Sequence, residues 1–224
     1  MMRLAERSQP RRAPISRPIV FTARLVRQIR AGNQSQTRRL VRVPDGYRIS
    51  ALVQSSPPGA IAERVYAYRP DAQAEAPPRE LRCPYGQRGD LLWVKEPWGV
   101  PDDDQHPDAY IYRADEDPEV RSAVPWRSSL VMPQSASRLW LRIISVRVQQ
   151  LDSISCADVR AEGLACPAHD RRGVPCYSNC EHLRGAYRDH WDGIHRDHPA
   201  RLWRRNPIVW ALTFEAEQAP RALR

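Results

Sequence analysis

The feature that most restricts how this chain can fold is one β run whose alternation breaks a single time. Leu139, Leu141 and Ile143 share one parity, and Val146 and Val148 then take the other. Strand side chains alternate with a period of two, so a change near Ile143-Ile144 predicts one extra residue there, a β-bulge. Bulges bend strands, which is what small curved or closed sheets require. The remaining apolar runs are short: Pro18 to Thr22, Leu91 to Lys95 after a Gly89-Asp90 turn, Ala109 to Arg113, and a closing alternation of Ile208, Trp210, Leu212 and Phe214. Helical spacing occurs in three places. Leu25, Val26 and Ile29 oppose Arg24, Arg27 and Arg30, with Gly32 placed for a left-handed end. Ser155 and Asp158 form a capping pattern that Gly163 closes after about two turns, and Leu183, Tyr187, Trp191 and Ile194 mark a longer amphipathic helix. The expected class is α+β, a small mixed sheet with a few short flanking helices and loop insertions.

A chain of 224 residues holds one sizeable core, and 42% hydrophobic residues exclude a wholly disordered protein. Its 21 prolines are about twice the usual ~5% and predict many loops. Residues 55–80, with Pro57, Pro58, Pro70, Pro77 and Pro78 around Val65 to Tyr68, read as a loop-rich insertion with at most an edge strand. Residues 216–224 read as a tail. The net charge of +9 is unevenly placed: of 35 bases and 26 acids, residues 1–48 hold 12 and two, leaving 23 and 24 for the rest. Residues 1–17 carry Arg3, Arg7, Arg11, Arg12 and Arg17 without hydrophobic period and read as a flexible basic arm. Such a balance favours nucleic acid or acidic surfaces as partners. Lys95 is the only lysine; a GC-rich genome accounts for an excess of arginine, but not for its clustering. No run approaches the ~18 apolar residues of a membrane span and no secretory segment is visible, so a cytoplasmic protein without membrane contact is expected.

Five cysteines in a reducing compartment argue against a disulfide framework. Cys166, Cys176 and Cys180, with His169 and His182 nearby, form the one metal-like cluster, and Cys166, Cys176, Cys180 and His182 would make a closed structural zinc site. Incidental free thiols are the other reading, and no other cofactor is required. His190, His195 and His198 read as solvated, and Asp102 to Asp104 as a hydrated acidic loop.

Four segments are familiar together: Gln36-Thr37-Arg38-Arg39; Cys83-Pro84-Tyr85-Gly86 leading through Gly89-Asp90 to Trp93-Val94-Lys95-Glu96-Pro97-Trp98; Met132-Pro133 through Ala136-Ser137-Arg138; and Ala161-Glu162-Gly163. In this order, followed by Asn206-Pro207 and Trp210, they resemble the phage and prophage branch of the ASCH family, over about Pro18 to Phe214. The resemblance implies a PUA-like β-barrel over residues 18–215, with the insertion at 55–80 and a Cys-rich insertion at 165–182. It also implies a bacterial host cell and a cleft for RNA, a nucleoside or a modified base. Some family members remove the acetyl group from acetylated cytidine and others are assigned ribonuclease activity. The family's Lys-x-x-Thr pair and later Glu fall on Gln34, Thr37 and Glu162; glutamine has no ionisable amine, which speaks against the deacetylase chemistry.

The residues themselves add binding roles. Gln34 and Thr37 would bond a base edge, and one of Arg38 and Arg39 a phosphate, since strand alternation sends those two to opposite faces. Lys95 and Glu96 would line the cleft, Trp98 would stack a base, and Arg127 and Arg138 would hold phosphate beside Ser128, Ser129, Ser135 and Ser137. Glu162 sits near a helix C-terminus, where the dipole disfavours an acid, which points to a use beyond stability. The expected function is binding of RNA, single-stranded nucleic acid or a modified nucleoside. The alternatives are a hydrolase built on Thr37, Glu162 and Lys95, and a phage assembly or host-takeover factor that binds protein through the Cys-rich insertion.

Overall fold

The computed structural model describes residues 13–54, 62–70, 77–101, 109–116, 125–170, 173, 176 and 178–219. Most of the basic arm, much of the 55–80 insertion, Asp102 to Asp104 and the end of the tail lie outside them. The architecture is α+β and mostly sheet. Strands β1 (Ser16–Val20), β2 (Gln36–Leu40), β6 (Leu91–Lys95), β9 (Trp140–Gln150) and β10 (Ile208–Glu217) form one sheet in the order β1-β6-β9-β10-β2. Strands β3 (Arg48–Gln54), β4 (Ala62–Tyr68) and β5 (Arg79–Leu81) form a second, and β7 (Trp98–Gly99) pairs with β8 (Ile111–Tyr112). The helices are α1 (Ala23–Arg30), α2 (Cys156–Ala161) and α3 (Glu181–His195).

The bulge is where the parity change puts it. Thr213 pairs with Ser145 and Phe214 with Ile143, leaving Ile144 as the extra residue of β9. Leu141 and Ile143 before it, and Val146 and Val148 after it, therefore all reach one core, with Ile19, Phe21, Leu92, Val94, Trp210, Leu212 and Phe214. Helix α1 covers this core with Val26 and Ile29. Thr22 caps it by accepting from the Leu25 amide, and Gly32 follows its end at φ +74°. Phe21 meets Phe214 edge to face across the interior, with centroids 6.1 Å apart.

Among the described residues the large sheet is not closed into a barrel: β1 and β2 remain its two edges. Arg39 of β2 instead donates to the carbonyl of Val20 at the end of β1, at 2.8 Å, with its guanidinium over the Phe21 ring. The closed-barrel form of the sequence expectation is thus replaced by an open sheet whose edges are joined by one side chain.

Two further expectations change. Strand β4 is the middle strand of its sheet, not an edge, and buries Val65 and Ala67, because β3 and β5 supply partners on both sides. The basic arm ends before residue 17, since Ser16 and Arg17 already pair in β1 and Arg17 donates to the Pro84 carbonyl.

A second core lies on the opposite face of β10, where Val209 packs with Leu151, just after β9, and with Val159, Leu183, Tyr187 and Trp191 from α2 and α3. Ser155 caps α2 by accepting from the Asp158 amide, and Gly163 ends it at φ +78°, as the spacing implies. Ile194 is the exception on α3: it is exposed. The Cys83-Pro84-Tyr85-Gly86 segment is a turn built on buried Asp90, whose carboxylate accepts from the Ile15 and Gln87 amides. A Cβ at Gly86 (φ +113°) would stand 2.6 Å from Asp90 Oδ2, so only glycine fits.

Candidate functional site

The segment after α1 and the end of α2 meet, as the motif order requires. Ser35 donates its amide to the Ala161 carbonyl at 2.9 Å, and Gln34 forms a β-bridge with Glu162. Arg38, its side chain fully buried, donates to Glu162 Oε1 at 2.5 Å, to Asp158 Oδ2 at 3.0 Å and to Gln36 Oε1 at 2.8 Å. Arg147 holds the other Asp158 oxygen at 2.7 Å, and the Tyr187 hydroxyl stands 3.3 Å from both oxygens of Glu162. Burial pushes the Glu162 carboxyl above the ordinary carboxylate value against the pull of Arg38, Arg39 and Tyr187. Burial, and next the Glu162 charge, raise the Tyr187 phenol well above its usual value. Asp158 goes the other way: burial would raise it, but Arg147 and Arg38 hold it below the usual value. Gln34 Oε1 and Arg38 Nε are buried and make no hydrogen bond among the described residues.

This junction is a packed ion-pair network, and it does not assemble the catalytic pair expected from the motifs. Residues directly opposite in an antiparallel pair share a face. Arg38 opposes Ala211 and Leu40 opposes Val209, on the side of α2 and α3, whereas Thr37 opposes Leu212 and Arg39 opposes Trp210, on the side of the first core. Thr37 and Glu162 therefore lie on opposite faces of the sheet. The alternation argument that separates Arg38 from Arg39 holds, and it applies equally to Thr37.

The second expected cluster is also turned inward. Glu96, 1% exposed, accepts from Arg138 Nε and Nη2 at 2.9 and 3.1 Å, and Arg138 continues to Asp115, which Arg30 holds at 2.5 Å. The Arg138 guanidinium also lies 3.8 Å from the Tyr112 ring centroid, so it is an internal fork donor and not a phosphate ligand. Lys95 does not pair with Glu96; its Nζ donates to the Leu130 carbonyl and faces the Trp93 ring. Trp98 is buried with Met132 and Ala136, edge-on to Tyr110 and covered by the Arg127 guanidinium, so it offers no stacking face. Trp93 is half-buried. Ser137 donates to the Val94 carbonyl, while Ser128 caps a short turn. Glu96, Arg138 and Ser137 are thus satisfied within the fold, whereas Arg127 is exposed over the Trp98 ring and the buried Trp98 Nε1 has no hydrogen-bond partner among the described residues.

An open concave surface lies elsewhere among the described residues. A cavity of about 430 Å³ sits over the N-terminus of α1, bounded by Phe21, Thr22, Arg24, Arg27, Arg113 and Glu116 among others. Arg27 is tied to the carbonyls of Arg113, Ala114 and Glu116. Arg24 and Arg113 are exposed, and among the described residues their side chains make no hydrogen bond or ion pair. The first turn of α1 contains no acid. The arginine face of α1 was legible in the sequence. Its convergence with Arg113, far along the chain, was not.

The cysteine cluster forms with one change of ligand. Cys166, His169, Cys176 and Cys180 bring one ligand atom each within 4.8 Å of one another, a set that could hold a metal ion. His182 is exposed on the first turn of α3, its ring 6.1 Å from that of His169. The Cys166-Pro-Ala-His169 turn is the signal that selects His169, because a two-residue gap folds both donors to one side.

No helix among the described residues is long and apolar enough to cross a membrane. Fold and sites together define a small α+β protein with a metal-capable Cys/His cluster. Comparison with protein-family models, curated proteins and solved structures finds no match for this chain.

Proposed function

We propose that this is an ASCH-type, PUA-like protein of phage or prophage origin, acting in the bacterial cytoplasm, that binds RNA or single-stranded nucleic acid, including a modified nucleoside within it. The observation that carries the reading is the cavity over the α1 N-terminus, where Arg24 and Arg113 present exposed guanidinium groups that make no hydrogen bond or ion pair among the described residues. A helix N-terminus and unengaged arginines favour phosphate, and a cavity of about 430 Å³ has room for a nucleotide. The basic N-terminal residues add salt-sensitive affinity to the same end of the chain. The family part of the reading is supported by the motifs falling at junctions of the fold: the edge strand β2, the Asp90 turn, the Glu96–Arg138 pair and the end of α2.

The test is fluorescence anisotropy of the full chain with labelled single-stranded RNA across a salt series. Arg24→Glu with Arg113→Glu should weaken binding about tenfold or more and lower the salt slope by about two, near one per lost phosphate contact. Unchanged affinity and slope in the folded double variant remove the cavity from the reading. The hydrolase alternative needs Thr37 and Glu162 on one substrate, and their placement on opposite faces speaks against it. Turnover of acetylated cytidine or RNA that Glu162→Gln abolishes would restore it.

A further inference from the structure

We propose that Cys166, His169, Cys176 and Cys180 form a closed, structural zinc site that joins the end of α2 to the start of α3. The geometry is more specific than proximity alone. Tetrahedral zinc, with bonds of about 2.3 Å to sulfur and about 2.0 Å to nitrogen, holds two sulfurs ~3.8 Å apart and a sulfur and a nitrogen ~3.5 Å apart. Here the Sγ atoms of Cys166 and Cys180 are 3.7 Å apart, and His169 Nδ1 is 3.1 and 3.6 Å from them. The spacing between sulfurs is far beyond the ~2.05 Å of a disulfide, and all the cysteines are free. Three thiolates and an imidazole are soft and borderline donors, which select zinc over the oxygen-seeking calcium and magnesium. Four protein ligands leave no position for water, so the ion would hold structure and do no chemistry.

The surrounding residues are arranged to hold these ligands. Asp170 accepts from the Cys166 amide and donates its own amide to the Cys166 carbonyl at 3.0 Å, closing the turn that carries His169. Arg160, in the last turn of α2, grips Asp170 at 3.0 Å and lies beside Cys176, placing a positive charge next to a site whose three thiolates exceed the charge of the ion. Cys180 precedes α3, and its carbonyl accepts from the Arg184 amide. Cys166 and Cys180 are themselves part of the second core, with Leu183 and Tyr187. Zinc would thus cross-link α2 and α3 through a segment with few apolar residues of its own, and its removal should loosen that core.

The test uses the full chain purified without chelator. Expected are one zinc per chain that survives dialysis, a lower Tm after chelation, and, on replacement by cobalt, the intense visible bands of a tetrahedral site with a thiolate charge-transfer band. His169→Ala should alter the cobalt spectrum and weaken metal retention at least tenfold, whereas His182→Ala should leave both unchanged. Folded, metal-free protein with an unshifted Tm in excess zinc overturns the proposal, as does a Cys166–Cys180 disulfide in freshly purified material. Sensitivity to His182→Ala in place of His169→Ala overturns the ligand set. Should His169→Ala not fold, X-ray absorption on the unaltered zinc protein decides: three sulfurs and one nitrogen support the site, and an oxygen-dominated shell refutes it.

Discussion

The junction of β2 with α2 and the cavity over α1 are both rich in arginine, yet they do opposite things with it. At the junction Arg38 is fully buried and bonded to Glu162, Asp158 and Gln36, so its charge is matched inside the fold. At the cavity Arg24 and Arg113 remain exposed, without a partner among the described residues. The contrast teaches that an arginine within a familiar motif is no evidence for ligand contact. A buried guanidinium must be paired, and pairing removes it from the pool available to a phosphate. Arg138, read as a phosphate ligand and found bidentate on Glu96, makes the same point.

The largest effect that would break this comparison is expected at Glu162. Glu162→Ala leaves Arg38 buried with one carboxylate partner fewer, and should cost about 3–5 kcal/mol in urea unfolding. A loss under about 1 kcal/mol, together with lost RNA binding, would move Glu162 from the fold to the ligand. Asp158 comes next, with Asp158→Asn expected to cost about 1–2 kcal/mol because it weakens charge-assisted bonds to Arg38 and Arg147.

This second variant also has a pH signature. The folded Asp158 carboxyl lies below its ordinary value of 3.8, so its contribution is present above that pH and fades as pH falls through the folded value. Glu162, raised from 4.5, acts in the opposite sense: it favours the folded state less as pH rises from 4.5 through its folded value. Stability measured from pH 6 down to pH 2 should therefore fall less steeply below about pH 4 in Asp158→Asn than in the unaltered protein. An identical slope would mean that Asp158 is not ion-paired in solution.

On the ligand side, deleting residues 1–12 should weaken RNA binding up to about tenfold at low salt and flatten the salt dependence, with the fold unchanged. Equal binding would leave the cavity as the only contact. The smallest effect is expected at Arg188, whose exposed pairing with Asp189 should contribute under about 0.5 kcal/mol, so that Arg188→Ala barely shifts the unfolding midpoint.

Much of the fold was legible because it rests on local periodicity. The β9 bulge, the cap of α2, the left-handed glycine ends of α1 and α2 and the closing strand all follow from neighbours within a few residues. Where reading failed, distant partners decided. Strand β4 looked like an edge because its prolines are local, while β3 and β5 that flank it are not. His182 was read as the fourth ligand because it lies close to Cys180 in sequence, whereas a turn after Cys166 delivers His169. Trp98 was read as a platform because nothing near it in sequence shows Met132 and Ala136 packing over it.

By itself, then, the sequence determined which residues alternate, which cap and which carry charge, since those properties depend on backbone period and side-chain chemistry. Tertiary structure alone decided which charges cancel. Whether Arg38 meets a carboxylate or Arg24 meets open space depends on the register of β2 against β10 and on the placement of α1, both set by contacts between residues far apart in the chain.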